Sequence, residues 1–170
     1  PNSPTILRSL VDVKSYQGEY QDAIKYLEKI LELEPDNKDS GLDLYHLYIQ
    51  DGNLLKAEMV LDSLFIYFPN DQDILITRAN TQFSDENWIN LLQTYQSIYE
   101  VDATQTDILI RIHEIGIATG NIDLVYEILW ELKNISDDPV ILELLIGISS
   151  RLGEYQQAIE LTQELIETNG

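Results

Sequence analysis

Apolar residues in this chain recur at spacings of three to five, as in Ala23, Leu27 and Ile30, or Leu109 and Ile112. That spacing lines one face of an α-helix; a half-buried strand would alternate instead. Single glycines interrupt the helical stretches. Gly18, Gly52, Gly120 and Gly153 each close one helical pattern and open another, at steps of 34, 68 and 33 residues. The middle step is twice the first. Its missing member falls on Glu86, within Ser84-Asp85-Glu86-Asn87, which still reads as a turn.

Five registers align on these turns. Two residues after each stands a large residue: Tyr20, Leu54, Trp88, Ile122 or Tyr155. Five after stands Ala23, Ala57, Leu91, Val125 or Ala158, small in three of five. Nine after stands Leu27, Leu61, Tyr95, Leu129 or Thr162, and twelve after Ile30, Leu64, Ile98, Leu132 or Leu165. Upstream, Leu7, Gly41, Leu75, Leu109 and Leu142 stand eleven before the turn, and Leu10, Leu44, Arg78, Ile112 and Leu145 eight before. Each unit is therefore helix, tight turn, helix. The second helices are expected to end near Pro35, Pro69 and Asp137-Asp138-Pro139, since proline stops a helix or starts the next. The units run over about 4–37, 38–71, 72–105, 106–138 and 139–170, a single array over the chain.

Gly18-Glu19-Tyr20-Gln21-Asp22-Ala23-Ile24, continuing through Leu27 and Ile30 to Pro35, resembles the tetratricopeptide repeat family. Gly153-Glu154-Tyr155-Gln156-Gln157-Ala158-Ile159 repeats it closely, and Gly52 with Ala57, Leu61 and Pro69 is a third copy. The third and fourth units are degenerate: the third lacks the turn glycine and the small residue, and the fourth has Val125 where alanine is usual. The resemblance implies an all-α fold, a right-handed superhelical solenoid of about ten helices with a concave inner face. A lone hairpin cannot bury its apolar face, so stacking is required. The small residue lets the two helices of a hairpin approach closely, and the large residues are expected to fill the wedge between neighbours.

The charge narrows the partners. Thirty acids against ten bases give a formal net charge of −20 in 170 residues, spread over both halves. Such a surface repels phosphate backbones and anionic lipid, so nucleic acid is excluded as a partner and a neutral or basic protein is favoured. There is no cysteine, hence no disulfide, thiol nucleophile or Cys-ligated metal. No apolar run is long enough to span a membrane, and no secretory signal pattern is present. The chain starts at Pro1 without an initiator methionine and is read as a fragment of a longer, cytoplasmic protein, from which a targeting or anchor segment could have been removed.

Candidate chemistry is sparse, and no enzyme, cofactor or metal site is expected. His46 and His113 sit at different repeat positions with no catalytic spacing around them and read as ordinary helix residues. Asp36-Asn37-Lys38-Asp39-Ser40-Gly41 superficially resembles the start of a calcium loop. Lys38 occupies a ligand position there and Leu47 replaces the closing glutamate, so it reads as a turn with an N-cap. Asn134-Ile135-Ser136 is a glycosylation sequon that reads as a loop.

In the family, the first helix of each unit lines the concave groove where peptides bind. The matching positions, ten, six and three before each turn, are Leu42, His46 and Ile49; Ile76, Asn80 and Phe83; Ile110, Glu114 and Ile117. Two of these lines are apolar in units two to four, a stripe that a solvated groove would not need. The expected function is a non-catalytic protein–protein interaction or scaffold module whose groove takes an apolar, neutral-to-basic peptide or helix. The basic clamp of the family's chaperone-tail binders is not reproduced: the groove offers mainly Arg8, Asn80 and nearby Arg111. The last helix presents Ala158, Ile159, Leu161, Leu165 and Ile166, more apolar residues than one packing face needs. Further repeats or a second copy would cover it. The alternative function is therefore self-assembly, a homo-oligomer formed through the groove or through the C-terminal repeat.

Overall fold

The structure, a computed structural model, describes residues 3–168, and these form an all-α fold. Ten helices follow in order: α1 (Pro4–Tyr16), α2 (Tyr20–Leu33), α3 (Lys38–Gln50), α4 (Leu54–Tyr67), α5 (Gln72–Ser84), α6 (Trp88–Val101), α7 (Thr106–Thr119), α8 (Ile122–Lys133), α9 (Pro139–Leu152) and α10 (Tyr155–Thr168). The first helix of each pair stops the same way every time. The turn residue takes a left-handed backbone at Gly18, Gly52, Gly120 and Gly153, with φ of 74° to 81°. The next residue's amide then reaches back to the carbonyl four positions before the turn: Glu19 to Lys14, Asn53 to Tyr48, Asn87 to Gln82, Asn121 to Gly116 and Glu154 to Ser149, all at 2.8–2.9 Å. This is the Schellman closure of a helix C-terminus, which satisfies an otherwise orphaned carbonyl.

The third pair makes the same closure without glycine. Glu86 has a φ of 55° and is the sole non-glycine residue with positive φ among those described. Its amide donates to the Phe83 carbonyl at 3.2 Å, as Gly52 donates to Ile49 at 3.1 Å. The turn read from sequence at Glu86 is thus present, held by the hydrogen-bond pattern at a backbone cost.

Helix starts are capped by short polar side chains. Asn37 accepts from the Ser40 amide at 3.0 Å, Asn53 from Lys56 at 3.3 Å, and Asp138 from Val140 at 2.9 Å, just ahead of Pro139. Each satisfies a donor that the helix cannot. The segment resembling a calcium loop is therefore a capped turn, and Lys38 has its own role. Its ammonium lies 2.8 Å from Asp71 and 3.0 Å from Asp73. These hydrogen bonds raise the Lys38 pKa despite partial burial. Burial pushes the Asp71 carboxyl up, but Lys38 and the amides of Ile74 and Asp73 outweigh it and hold it below the usual range.

The chain divides into two compact units, one up to Ile74 and one from Leu75 onward. In the first unit, Leu7, Val11, Ala23, Leu27, Ile30, Leu44, Ala57, Leu61 and Leu64 are buried in one cluster. Each large member contributes about 1.5–3 kcal/mol relative to an exposed position. Gly41 stands where other units carry leucine. A Cβ there would lie 2.5 Å from Leu64 Cδ2, so Leu64 occupies the space. In the second unit Leu91, Leu92, Leu109, Ile112, Val125, Leu129, Leu132, Ile141 and Leu145 are fully buried. Tyr99 is buried with them, its hydroxyl 2.9 Å from Ser136 Oγ and 3.3 Å from Asp138.

One expectation needs correction. The large residues two positions after the turn do not all fill a wedge: Tyr20, Leu54 and Tyr155 are exposed. That position opens the second helix, and a side chain there leans back over the turn rather than into the hairpin.

Candidate functional site

The residues of the proposed groove fall into three triads, each with i, i+4, i+7 spacing on one helix. Leu42, His46 and Ile49 share a face of α3; Ile76, Asn80 and Phe83 share a face of α5; Ile110, Glu114 and Ile117 share a face of α7. This is a consequence of 3.6 residues per turn. The opposite faces pack inward, as shown by buried Leu44 on α3, Leu75 on α5 and Leu109 and Ile112 on α7.

Four of the six apolar members are left open. Ile49 is 39%, Ile76 46%, Phe83 53% and Ile110 47% exposed. His46, Asn80 and Glu114 are exposed between them. Ile117 is half-buried, and Leu42 packs against the buried cluster of the first unit, so it anchors α3 as well as lining its face. His46 stands edge-on to Tyr45, ring centroids 5.1 Å apart, and Phe83 edge-on to Trp88 at 5.6 Å. On α9 the matching position is Gly147, around which nothing lies within 4 Å of an added Cβ. The equivalent strip on α9, Glu143, Gly147 and Ser150, is exposed but carries no apolar side chain.

The titratable groups offer no reactive constellation on these faces. His113 lies one residue from Glu114 and is half-buried. Burial pushes its pKa below 6.5, the Arg151 guanidinium adds to the lowering, and Glu114 opposes it. Among the described residues no cluster of His, Cys, Asp or Glu is arranged to hold a metal ion. No helix among them is long and apolar enough to cross a membrane.

The first unit also carries a second exposed apolar surface, on α4. Leu55, Met59, Ile66 and Tyr67 of α4 are exposed on the side away from Leu61 and Leu64. The signal was present in Leu54-Leu55-Lys56-Ala57-Glu58-Met59-Val60-Leu61, where apolar residues occupy nearly every helical phase rather than one stripe.

Comparisons agree with this architecture. Residues 16–80 match the tetratricopeptide repeat model. No curated protein matches the sequence. Among solved structures, the chain is similar to a tetratricopeptide repeat protein from Parabacteroides merdae ATCC 43184, with a TM-score of 0.60 and 20% identity over 98% of this chain and 66% of that one. It is similar to the MamA protein, with a TM-score of 0.56 and 16% identity over 96% of this chain and 90% of that one. MamA from Desulfovibrio magneticus RS-1, residue 41 to the end, gives a TM-score of 0.56 and 12% identity over 96% and 93%. At these identities the likeness is one of fold. The repeat model covers residues 16–80, and helical hairpins closed by the same bond continue along the described chain, so this protein has the fold of tetratricopeptide repeat proteins.

Proposed function

We propose that this chain is a protein–protein interaction module whose first helices bind an apolar segment of a partner, a peptide or amphipathic helix of neutral or basic character. Interaction and scaffolding are the general work of the tetratricopeptide repeat family, whose model matches residues 16–80. The observation that supports the finer reading is the repeated exposure of Ile76, Phe83 and Ile110 at equivalent positions of α5 and α7 within the second unit; in the first unit Ile49 of α3 is likewise exposed. Exposed apolar side chains in register cost solubility and mark a contact surface. The polar members Asn80 and Glu114 give the second unit's surface hydrogen-bonding partners for a peptide, as His46 does on the first unit. The net charge of −20 steers basic segments toward it and acidic ones away.

The test is selection from a random-peptide library against the wild-type chain, followed by binding to the Ile76→Asp plus Phe83→Asp variant. Both positions are exposed, so the variant keeps its helicity by circular dichroism. Loss of binding to the selected apolar peptides is expected; undiminished binding would remove the reading.

A second reading, self-association, draws on α10. Ala158 and Leu161 are buried, whereas Tyr155, Ile159 and Ile166 are exposed. Sedimentation velocity across a concentration series separates the two, since a chain that stays monomeric at high concentration does not self-assemble through this face.

A further inference from the structure

The flank of α4 that carries Met59 and Tyr67 faces a furrow. Leu31 and Pro35 supply its other wall, and Leu44 and Tyr48 of α3 lie at its floor. Two adjoining hollows of about 320 and 540 Å³ share Leu31, Met59 and Val60, so the furrow is continuous. It is distinct from the triad on α3. Leu44 and Tyr48 project from the side of α3 roughly opposite to Leu42, His46 and Ile49, because two residues advance a helix by about 200°. Met59 is 61% exposed. Its flexible thioether adapts to varied apolar partners, and Tyr67 offers a rigid ring with a polar tip.

The charges along the furrow are one-sided. Glu28 and Glu32 line its α2 wall and Lys56 its α4 wall. Glu28 already accepts hydrogen bonds from the Tyr48 hydroxyl and, at 3.3 Å, from the Lys56 ammonium, which also lies 5.0 Å from the centre of the Tyr48 ring. The one lysine is thus matched. Glu32, one turn further along α2, is exposed and makes no ion pair among the described residues. A second copy of the chain would bring another −20 of charge to this wall. A basic segment is attracted to it.

We propose that this furrow binds an amphipathic helix of another protein, with apolar side chains at i, i+3 or i+4, and i+7 entering between Leu31, Met59 and Tyr67, and with lysine or arginine on the flank facing Glu28 and Glu32. This is helix-in-groove recognition, with the apolar anchors supplying affinity and the basic flank orientation.

Met59 is the single methionine, so its ¹³C-labelled methyl group yields one NMR signal inside the furrow. The probes are a synthetic helical peptide with leucine anchors and flanking lysines, and a twin with every lysine replaced by glutamate. The lysine peptide is expected to shift the Met59 signal saturably and the glutamate peptide to leave it in place. Tyr67→Glu should weaken the lysine peptide by about tenfold or more, because a charge then enters an apolar contact. Glu32→Lys, at an exposed position, should weaken the lysine peptide and admit the glutamate twin. Ile76→Asp plus Phe83→Asp should leave the response intact, so failure here is distinguishable from failure of the groove on the first helices. No shift with the lysine peptide, equal shifts with both peptides, or a shift with protein concentration alone would each overturn the proposal, the last in favour of a second copy.

Discussion

The first hairpin, α1–α2, and the fourth, α7–α8, solve one packing problem in opposite ways. Both bury the residue five positions after the turn completely, Ala23 in the first and Val125 in the fourth. Both close the first helix with the same bond, from Glu19 to Lys14 at 2.9 Å and from Asn121 to Gly116 at 2.8 Å. In the first hairpin the small residue is on the second helix, and the position four before the turn carries Lys14, whose ammonium reaches Glu19 at 2.6 Å. In the fourth the small residue has moved across the interface. A Cβ on Gly116 would stand 2.0 Å from Val125 Cγ2. Sequence comparison of the second helices alone reads Val125 as a lapse from the repeat pattern, but the facing helix compensates for it. What matters is the combined volume of the facing pair, because protein interiors are close-packed and one methyl group is felt.

The sharpest way to break this comparison is Gly116→Ala. Valine is stiff at χ1 and cannot swing aside, so the variant should lose about 1–3 kcal/mol, less whatever alanine returns in helix propensity. Adding Val125→Ala recreates the arrangement of the first hairpin and should recover most of the loss. Urea unfolding of the two single variants and the double variant measures the coupling, and simple additivity would refute the compensation. Gly41→Ala is the internal control: its nearest contact is the end of the Leu64 side chain, which can rotate, so a smaller loss is expected.

Replacing Glu86 by glycine extends the comparison to the turns. The left-handed backbone costs a non-glycine residue about 1–2 kcal/mol, partly offset by the greater freedom that glycine has when unfolded. A net gain of roughly 0.5–1 kcal/mol is expected in thermal or urea unfolding. A loss would mean that the Glu86 side chain contributes more than its backbone costs.

The smallest effect concerns the position seven before the turn. It carries buried Val11 in the first hairpin and half-buried His113 in the fourth. The folded state holds the His113 pKa below its ordinary value of 6.5, mainly through burial, with Arg151 adding to the shift. Below pH 6.5 the unfolded chain therefore binds the proton more readily than the folded one. Stability from this residue is complete above that pH and declines as pH falls through the window beneath it. His113→Val should flatten the change in melting temperature between pH 7.5 and 5.5 relative to wild type; an unchanged slope would assign the acid sensitivity to other groups.

Much of the local architecture was legible before any coordinates. A helix start could be read in the Asn37 turn, a helix boundary at Asp137-Asp138-Pro139, and helix stops at the four glycines and at Glu86, because capping and turn chemistry act within a few residues. The inward faces were legible too, since Leu27, Ile30, Leu109 and Ile112 repeat at helical spacing. The position two after the turn was misread, because size there does not reveal that the side chain leans over the turn. Leu42 was read as groove wall alone, although it also packs on the first unit's core.

Taken by itself, the chain's order of residues determined its helices, its turns and the faces that must leave water, for these follow from periodicity and short-range hydrogen bonding. Tertiary structure alone decided that the chain divides between Ile74 and Leu75, that Gly116 makes room for Val125, and that Met59 and Tyr67 remain open while Leu61 and Leu64 on the same helix do not. Those outcomes depend on which surfaces meet across helices. Apolar side chains are interchangeable to the hydrophobic effect, and only the packing partner distinguishes the one that is covered from the one left exposed.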